Sequence, residues 1–101
     1  MSFGISEKSC RQLQRVLEEF SEIEEALIFG SRALGTEKPG SDIDLAIKGA
    51  AVTPQTALSL AARLNESLPI PYFCDVVDYA SIDNPALKEH IDRHGRSFFK
   101  R

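Results

Sequence analysis

Basic residues do not predominate in this sequence, and that removes one broad class of partner. Twelve lysines and arginines against fifteen aspartates and glutamates leave a formal net charge of −3 at pH 7. The chain therefore lacks the cationic stripe with which a protein grips a phosphate backbone, and direct binding to nucleic acid is not expected. No apolar run is long enough to span a bilayer, and the amino terminus lacks the charged-then-apolar order of a signal peptide, so the expected location is the cytoplasm. Cysteine is scarce. Cys10 and Cys74 stand far apart and form no Cys-x-x-Cys unit, which reads as two packed, reduced thiols. There is no internal repeat, low-complexity run or linker. The 101 residues are expected to form one domain, 1–101, with room for a single core and none for a second lobe.

What the sequence does contain is concentrated in residues 28–45, Ile-Phe-Gly-Ser-Arg-Ala-Leu-Gly-Thr-Glu-Lys-Pro-Gly-Ser-Asp-Ile-Asp-Leu. Alternate side chains of a strand share a face, so Asp42 and Asp44 point the same way at roughly 7 Å spacing while Ile43, Leu45 and Ile47 point the other way into a core. Two carboxylates side by side repel each other, and a cation that neutralises them makes the pair tolerable. Magnesium suits, because it prefers oxygen ligands, takes one or two carboxylates and fills its remaining positions with water and phosphate. Upstream, Gly30 follows the apolar run Ala26-Leu27-Ile28-Phe29 and allows a sharp turn and close approach to a ligand. Ser31–Leu34 is then expected as a short helical turn whose amides, with the Ser31 hydroxyl and Arg32, suit a phosphate. Lys38 is a further phosphate candidate. Gly30, Gly35 and Gly40 match neither a Walker loop nor a dinucleotide fingerprint. Asp-x-Asp alone could be two acids facing solvent; its conjunction with the Gly-Ser turn is what points to chemistry.

In chain order, residues 6–20 read as a helix capped by Ser6, with Leu13, Val16, Leu17 and Phe20 on one stripe. Residues 23–29 and 42–48 read as strands that the short loop joins antiparallel. Thr53-Pro54 starts a second long helix, which Pro69 and Pro71 prevent from continuing, and Tyr72–Tyr79 is the third strand. Strand, helix, strand implies a right-handed parallel crossover that lays this strand beside the second. Asp75, a carboxylate within an apolar strand, then completes a triad with Asp42 and Asp44. Asp78, an odd number of residues on, reads as a turn or capping residue. Asn84-Pro85 starts a last helix that Gly95 stops, His90 and His94 read as solvated residues near its end, and Phe98 and Phe99 close the core. The expected fold is α/β (α+β), in the order α-β-β-α-β-α, with a small mixed three-stranded sheet. Its helices are expected over one face and its carboxylates on the other.

Gly30-Ser31, followed about ten residues later by Asp42-Ile43-Asp44, resembles the signature of the DNA polymerase beta-like nucleotidyltransferase superfamily. Arg32, Ala33, Gly35 and Ser41–Leu45 bring it nearest to the minimal nucleotidyltransferase family; where relatives often carry a second arginine, this chain has Leu34. The resemblance implies a magnesium-dependent transfer of a nucleoside monophosphate, AMP from ATP, to a hydroxyl. Asp42 and Asp44 would hold two Mg2+ ions, Asp75 would hold the ion nearest the acceptor, and Gly30, Ser31 and Arg32 would hold the nucleotide phosphates. It also implies a protein partner, a HEPN-type toxin modified on tyrosine, with this chain as the antitoxin. A homo-oligomer is left open. The rival reading, which Leu34 favours, is a non-catalytic binding module that neutralises its partner by occlusion.

Overall fold

A computed structural model describes residues 3–101. Helix α1 (Glu7–Glu19) begins where the Ser6 side chain accepts a bond from the Ser9 amide. Its buried residues Leu13, Val16 and Leu17 recur at helical spacing. Strand β1 (Glu25–Phe29), the short helix α2 (Ser31–Leu34) and strand β2 (Ile43–Lys48) follow. Helix α3 (Pro54–Ala62) starts at a reciprocal cap between Thr53 and Thr56 and runs on as a π-helical turn, Arg63–Ser67. Strand β3 (Cys74–Asp78), helix α4 (Pro85–His94) and strand β4 (Arg96–Lys100) complete the order.

The strands form one sheet in the order β3-β2-β1-β4. Strands β1 and β2 pair antiparallel, and β2 and β3 pair parallel, as loop length and crossover predict. Among the described residues the sheet has four strands rather than the expected three. After Gly95 the chain turns back as β4 and pairs antiparallel with β1, so that Phe98 still packs into the core, but from a strand that covers the outer edge of β1. On the opposite edge, the side chain of Asn65 faces the backbone of Cys74. Its Nδ2 donates to the Cys74 carbonyl and its Oδ1 accepts from the Cys74 amide, both at 2.8 Å.

Both faces of the sheet are covered. Ile43, Leu45, Ile47, Ala26 and Ile28 meet Leu13, Leu17, Leu60 and Leu64 of α1, α3 and the π-helical turn in the main core. On the other face Leu27, Phe29 and Ala46 meet Ile91 of α4, with Leu87 and Tyr79 alongside. This corrects the expectation that helices lie over one face only: α4 shares the second face with the carboxylates. The Tyr79 hydroxyl donates to Asp92 and the Asn84 side chain caps the first turn of α4, which pins that helix at both ends. Neither Cys10 nor Cys74 forms a disulfide, and burial raises the Cys74 thiol to about 11, so it stays protonated. Among the described residues no helix is long and apolar enough to cross a membrane.

Candidate active site

The alternation along β2 sends Ile43, Leu45 and Ile47 into the core and leaves Asp44 on the opposite face, with Asp42 two residues earlier at the mouth of the strand. The parallel register sets Asp44 directly beside Asp75, and neighbouring strands stand about 4.8 Å apart. Asp42 and Asp75 are exposed and Asp44 is half-buried. The Asp44 carboxyl is raised above its ordinary value, first by burial and then by the charges of Asp75 and Asp42, while Arg32 pulls it the other way. The three predicted carboxylates thus share one electrostatic neighbourhood. Asp78 does not join them. It is buried and accepts from the Ala80 amide at 3.2 Å and the Ser81 hydroxyl at 2.8 Å, capping the turn after β3.

Between the end of β1 and these acids the backbone turns at Gly30, with φ 74° and ψ −152°. Its carbonyl accepts from the amides of Ala33 and Leu34, which closes α2 and puts Ser31 at the first helical position. A side chain at Gly30 is excluded for two reasons. The positive φ disfavours it, and an added Cβ would lie 2.3 Å from Asp44 Oδ2. Gly30→Ala is therefore expected to destabilise the fold by about 1–3 kcal/mol and to push Asp44 out of place; thermal melts and a magnesium-nucleotide titration measure the two effects. Downstream, the Ser41 amide donates to the Lys38 carbonyl at 2.9 Å across Pro39-Gly40, with Gly40 at φ 85°, as a type II turn requires. This turn delivers Asp42 to β2. Lys38 itself is exposed.

Arg32, expected at the phosphate, occupies a different place. It is 4 % exposed. Its Nε donates to the Asp42 carbonyl at 3.2 Å, Nη1 to the Phe3 carbonyl at 2.9 Å and Nη2 to the Ser41 carbonyl at 2.7 Å, and its guanidinium lies 4.9 Å from the Tyr72 ring centre. Three backbone acceptors on two loops fix the guanidinium as a strut under the site, whose charge reaches Asp44 through the protein.

His90, read from the sequence as solvated, is in the site. Its Nε2 accepts from the Gly30 amide at 2.9 Å, and its ring stands edge-on to Phe29 with centroids 6.1 Å apart. His94 is exposed. The signal that could have placed His90 is β1 itself. Four consecutive apolar residues, Ala26–Phe29, need cover on both faces of the sheet, and α4 is the element left to supply it on the acidic side.

Among the described residues no three His, Cys, Asp or Glu side chains converge as a ready-made metal centre. The donor chemistry nevertheless fits magnesium held jointly with a substrate: the acids are all oxygen donors, two are exposed, and the repulsion that raises Asp44 is what a divalent cation relieves. The acids lie at the surface. A cavity of about 420 Å³ lined by Pro54, Ala57, Val77, Asp78 and Leu87 includes none of Asp42, Asp44 and Asp75.

An acidic pair on a central strand, a third acid on its parallel neighbour and a Gly-Ser turn facing them define a nucleotidyltransferase-type domain. The chain belongs to the Polymerase beta, Nucleotidyltransferase family, whose model matches residues 11–101. Among solved structures it is similar to a toxin-antitoxin crystallised with AMP-PNP, with a TM-score of 0.73 and 23% identity over 91% of this chain and 73% of that one. A mutant of the toxin-antitoxin MntA-HpeT gives a TM-score of 0.69 at 24% identity, over 96% of this chain and 74% of the other. A Sulfolobus solfataricus protein assigned as a nucleotidyltransferase gives 0.58 at 23%, over 92% and 78%. No curated protein sequence gives a significant match.

Proposed function

We propose that this domain is a magnesium-dependent nucleotidyltransferase that transfers AMP from ATP to a hydroxyl, and that it acts as the antitoxin of a HEPN-type toxin by modifying a tyrosine of that partner. The observation that carries the reading is the register of Asp44 beside Asp75, with Gly30 turned so closely over Asp44 that no side chain fits between them. Asp42 and Asp44 would hold two magnesium ions, and Asp75 would share the one nearest the acceptor; bound there, the ions stabilise the attacking and leaving oxygens. The Gly30-Ser31 turn holds the β and γ phosphates, and Arg32 keeps that turn and the Asp42 backbone in fixed relation. Asp75, exposed on an edge strand, takes the proton of the acceptor hydroxyl. The acceptor oxygen bonds to the α phosphorus, the bond to the bridging oxygen breaks, and pyrophosphate leaves. The likeness to toxin-antitoxin structures, one of them with AMP-PNP, supports both the nucleotide and a protein acceptor.

Incubation of the protein with ATP labelled at the α phosphate, magnesium and a copurified partner tests the reading, with label on a partner tyrosine expected. Leu34, 49% exposed on the phosphate turn, favours the rival binding module, and absence of label with the right partner present would decide for it. A second expectation concerns the metal. Triphosphate beside uncompensated carboxylates is repelled, so calorimetric ATP affinity should fall at least about tenfold when magnesium is chelated. Equal affinity in EDTA would remove the carboxylates from nucleotide binding.

A further inference from the structure

The steps above leave His90 without a task, although it is the one side chain of α4 that bonds to the phosphate turn. Gly30 is held on two sides. Its Cα faces Asp44, where an added Cβ would come within 2.3 Å of Oδ2, and its amide donates to His90 Nε2 at 2.9 Å. That amide belongs to the peptide entering the turn, whereas the amides of a phosphate cradle lie beyond it, at the start of α2. His90 therefore does not occupy the ligand's place; it fixes the plane of the peptide from which the turn departs. Its own position is over-determined by the Phe29 ring beside it and by Ile91, the next residue, which is buried against Leu27, Phe29 and Ala46.

Resting on the nucleotidyl-transfer reading, we infer that His90 is a positioning residue for triphosphate binding, holding the Gly30 peptide so that the Gly30-Ser31 turn meets the phosphates without rearrangement. The lone pair on Nε2 is the working feature, which requires the proton on Nδ1. Preorganisation of this kind acts on affinity, because a turn free to rotate must be ordered when the nucleotide arrives.

The test is a calorimetric titration of magnesium AMP-PNP into wild type, His90→Leu, His90→Gln and His94→Ala, with the Gly30 amide followed by ¹⁵N NMR. Leucine keeps bulk against Phe29 and removes the acceptor, whereas the glutamine Oε1 can stand where Nε2 stands. Loss of one hydrogen bond predicts binding roughly threefold to tenfold weaker in His90→Leu, recovery to within about threefold in His90→Gln, and less loss than in His90→Leu for His94→Ala, which removes a ring 5.3 Å from that of His90 but leaves the acceptor in place. The Gly30 amide should lose protection from hydrogen exchange in the leucine variant and keep it in the glutamine one, a signature that a packing role alone would not produce. A folded His90→Leu that binds as wild type does would overturn the assignment and leave the functional reading standing. Glutamine no better than leucine would overturn it as well. If His90→Leu does not fold, His90→Met, which fills similar space without a nitrogen or oxygen acceptor, takes its place, and equal affinity and equal Gly30 protection in His90→Met and His90→Gln would overturn the assignment. Failure of wild type itself to bind magnesium AMP-PNP would overturn the functional reading and this inference together.

Discussion

Replacing Asp44 with asparagine is expected to abolish transfer, by about a thousandfold or more, while raising the melting temperature of the metal-free protein. The two effects have one cause. Asp44 is half-buried beside two other acids, so its charge is unfavourable in the apo fold and essential once a cation must be held. The direction with pH follows from the raised carboxyl. Between its ordinary value of 3.8 and its higher native value, the folded state binds more protons than the unfolded state, so this group's contribution to stability falls as pH rises. The penalty is complete above the native value and absent below the unfolded one. Asp44→Asn does not titrate, so its advantage should be greatest near neutral pH and shrink as pH falls toward 4. Melts in EDTA across that range measure it, and magnesium should narrow the gap by favouring the wild type. A variant less stable than wild type at pH 7 would show that Asp44 has a structural partner the acid pair does not supply.

Arg32→Ala is expected to have the largest effect on stability. Three carbonyls, those of Phe3, Ser41 and Asp42, would lose their donor at a buried position. A hydrogen bond to a charged group contributes roughly 1.5–3 kcal/mol, and an orphaned buried acceptor adds its own cost. A loss of about 3 kcal/mol or more follows, which at 4–8 °C per kcal/mol is about 12 °C or more in melting temperature. Arg32→Lys should recover little, because one ammonium cannot span three acceptors in a planar fork. Urea unfolding distinguishes this from a phosphate contact: a residue that only touched the nucleotide would lower affinity and leave the unfolding midpoint where it was.

That contrast shows where sequence reasoning reached and where it stopped. The placing of Asp44 beside Asp75 followed from local rules, since alternation along β2, the proline stops after α3 and the handed crossover all act within some thirty residues. Capping was equally legible at Ser6, Thr53 and Asn84, where side-chain chemistry and chain direction suffice. Arg32 was not, because an arginine after Gly-Ser reads as a ligand for phosphate until the carbonyls that surround it are seen, and Phe3 lies 29 residues away. His90 was hidden for a related reason. Its bond to Gly30 spans 60 residues and exists only because α4 folds back onto the acidic face. Strand β4 was missed through its brevity: five residues with one buried phenylalanine carry little alternation, and it is the open edge of β1 that recruits them.

The Asn65 amide on Cys74 bears on how a second protein can approach. Strand β3 is an edge of the sheet, and an edge is ordinarily a template on which a foreign strand can add itself, in recognition or in aggregation. Here the outward amide and carbonyl of Cys74 are already matched by a side chain that imitates a neighbouring peptide. A strand seeking to pair with β3 would have to displace Asn65 to bond at Cys74. The residue next to Asp75 is thereby closed to strand pairing, and under the proposed reaction an acceptor presented there on a loop or a helix would meet no open backbone at Cys74.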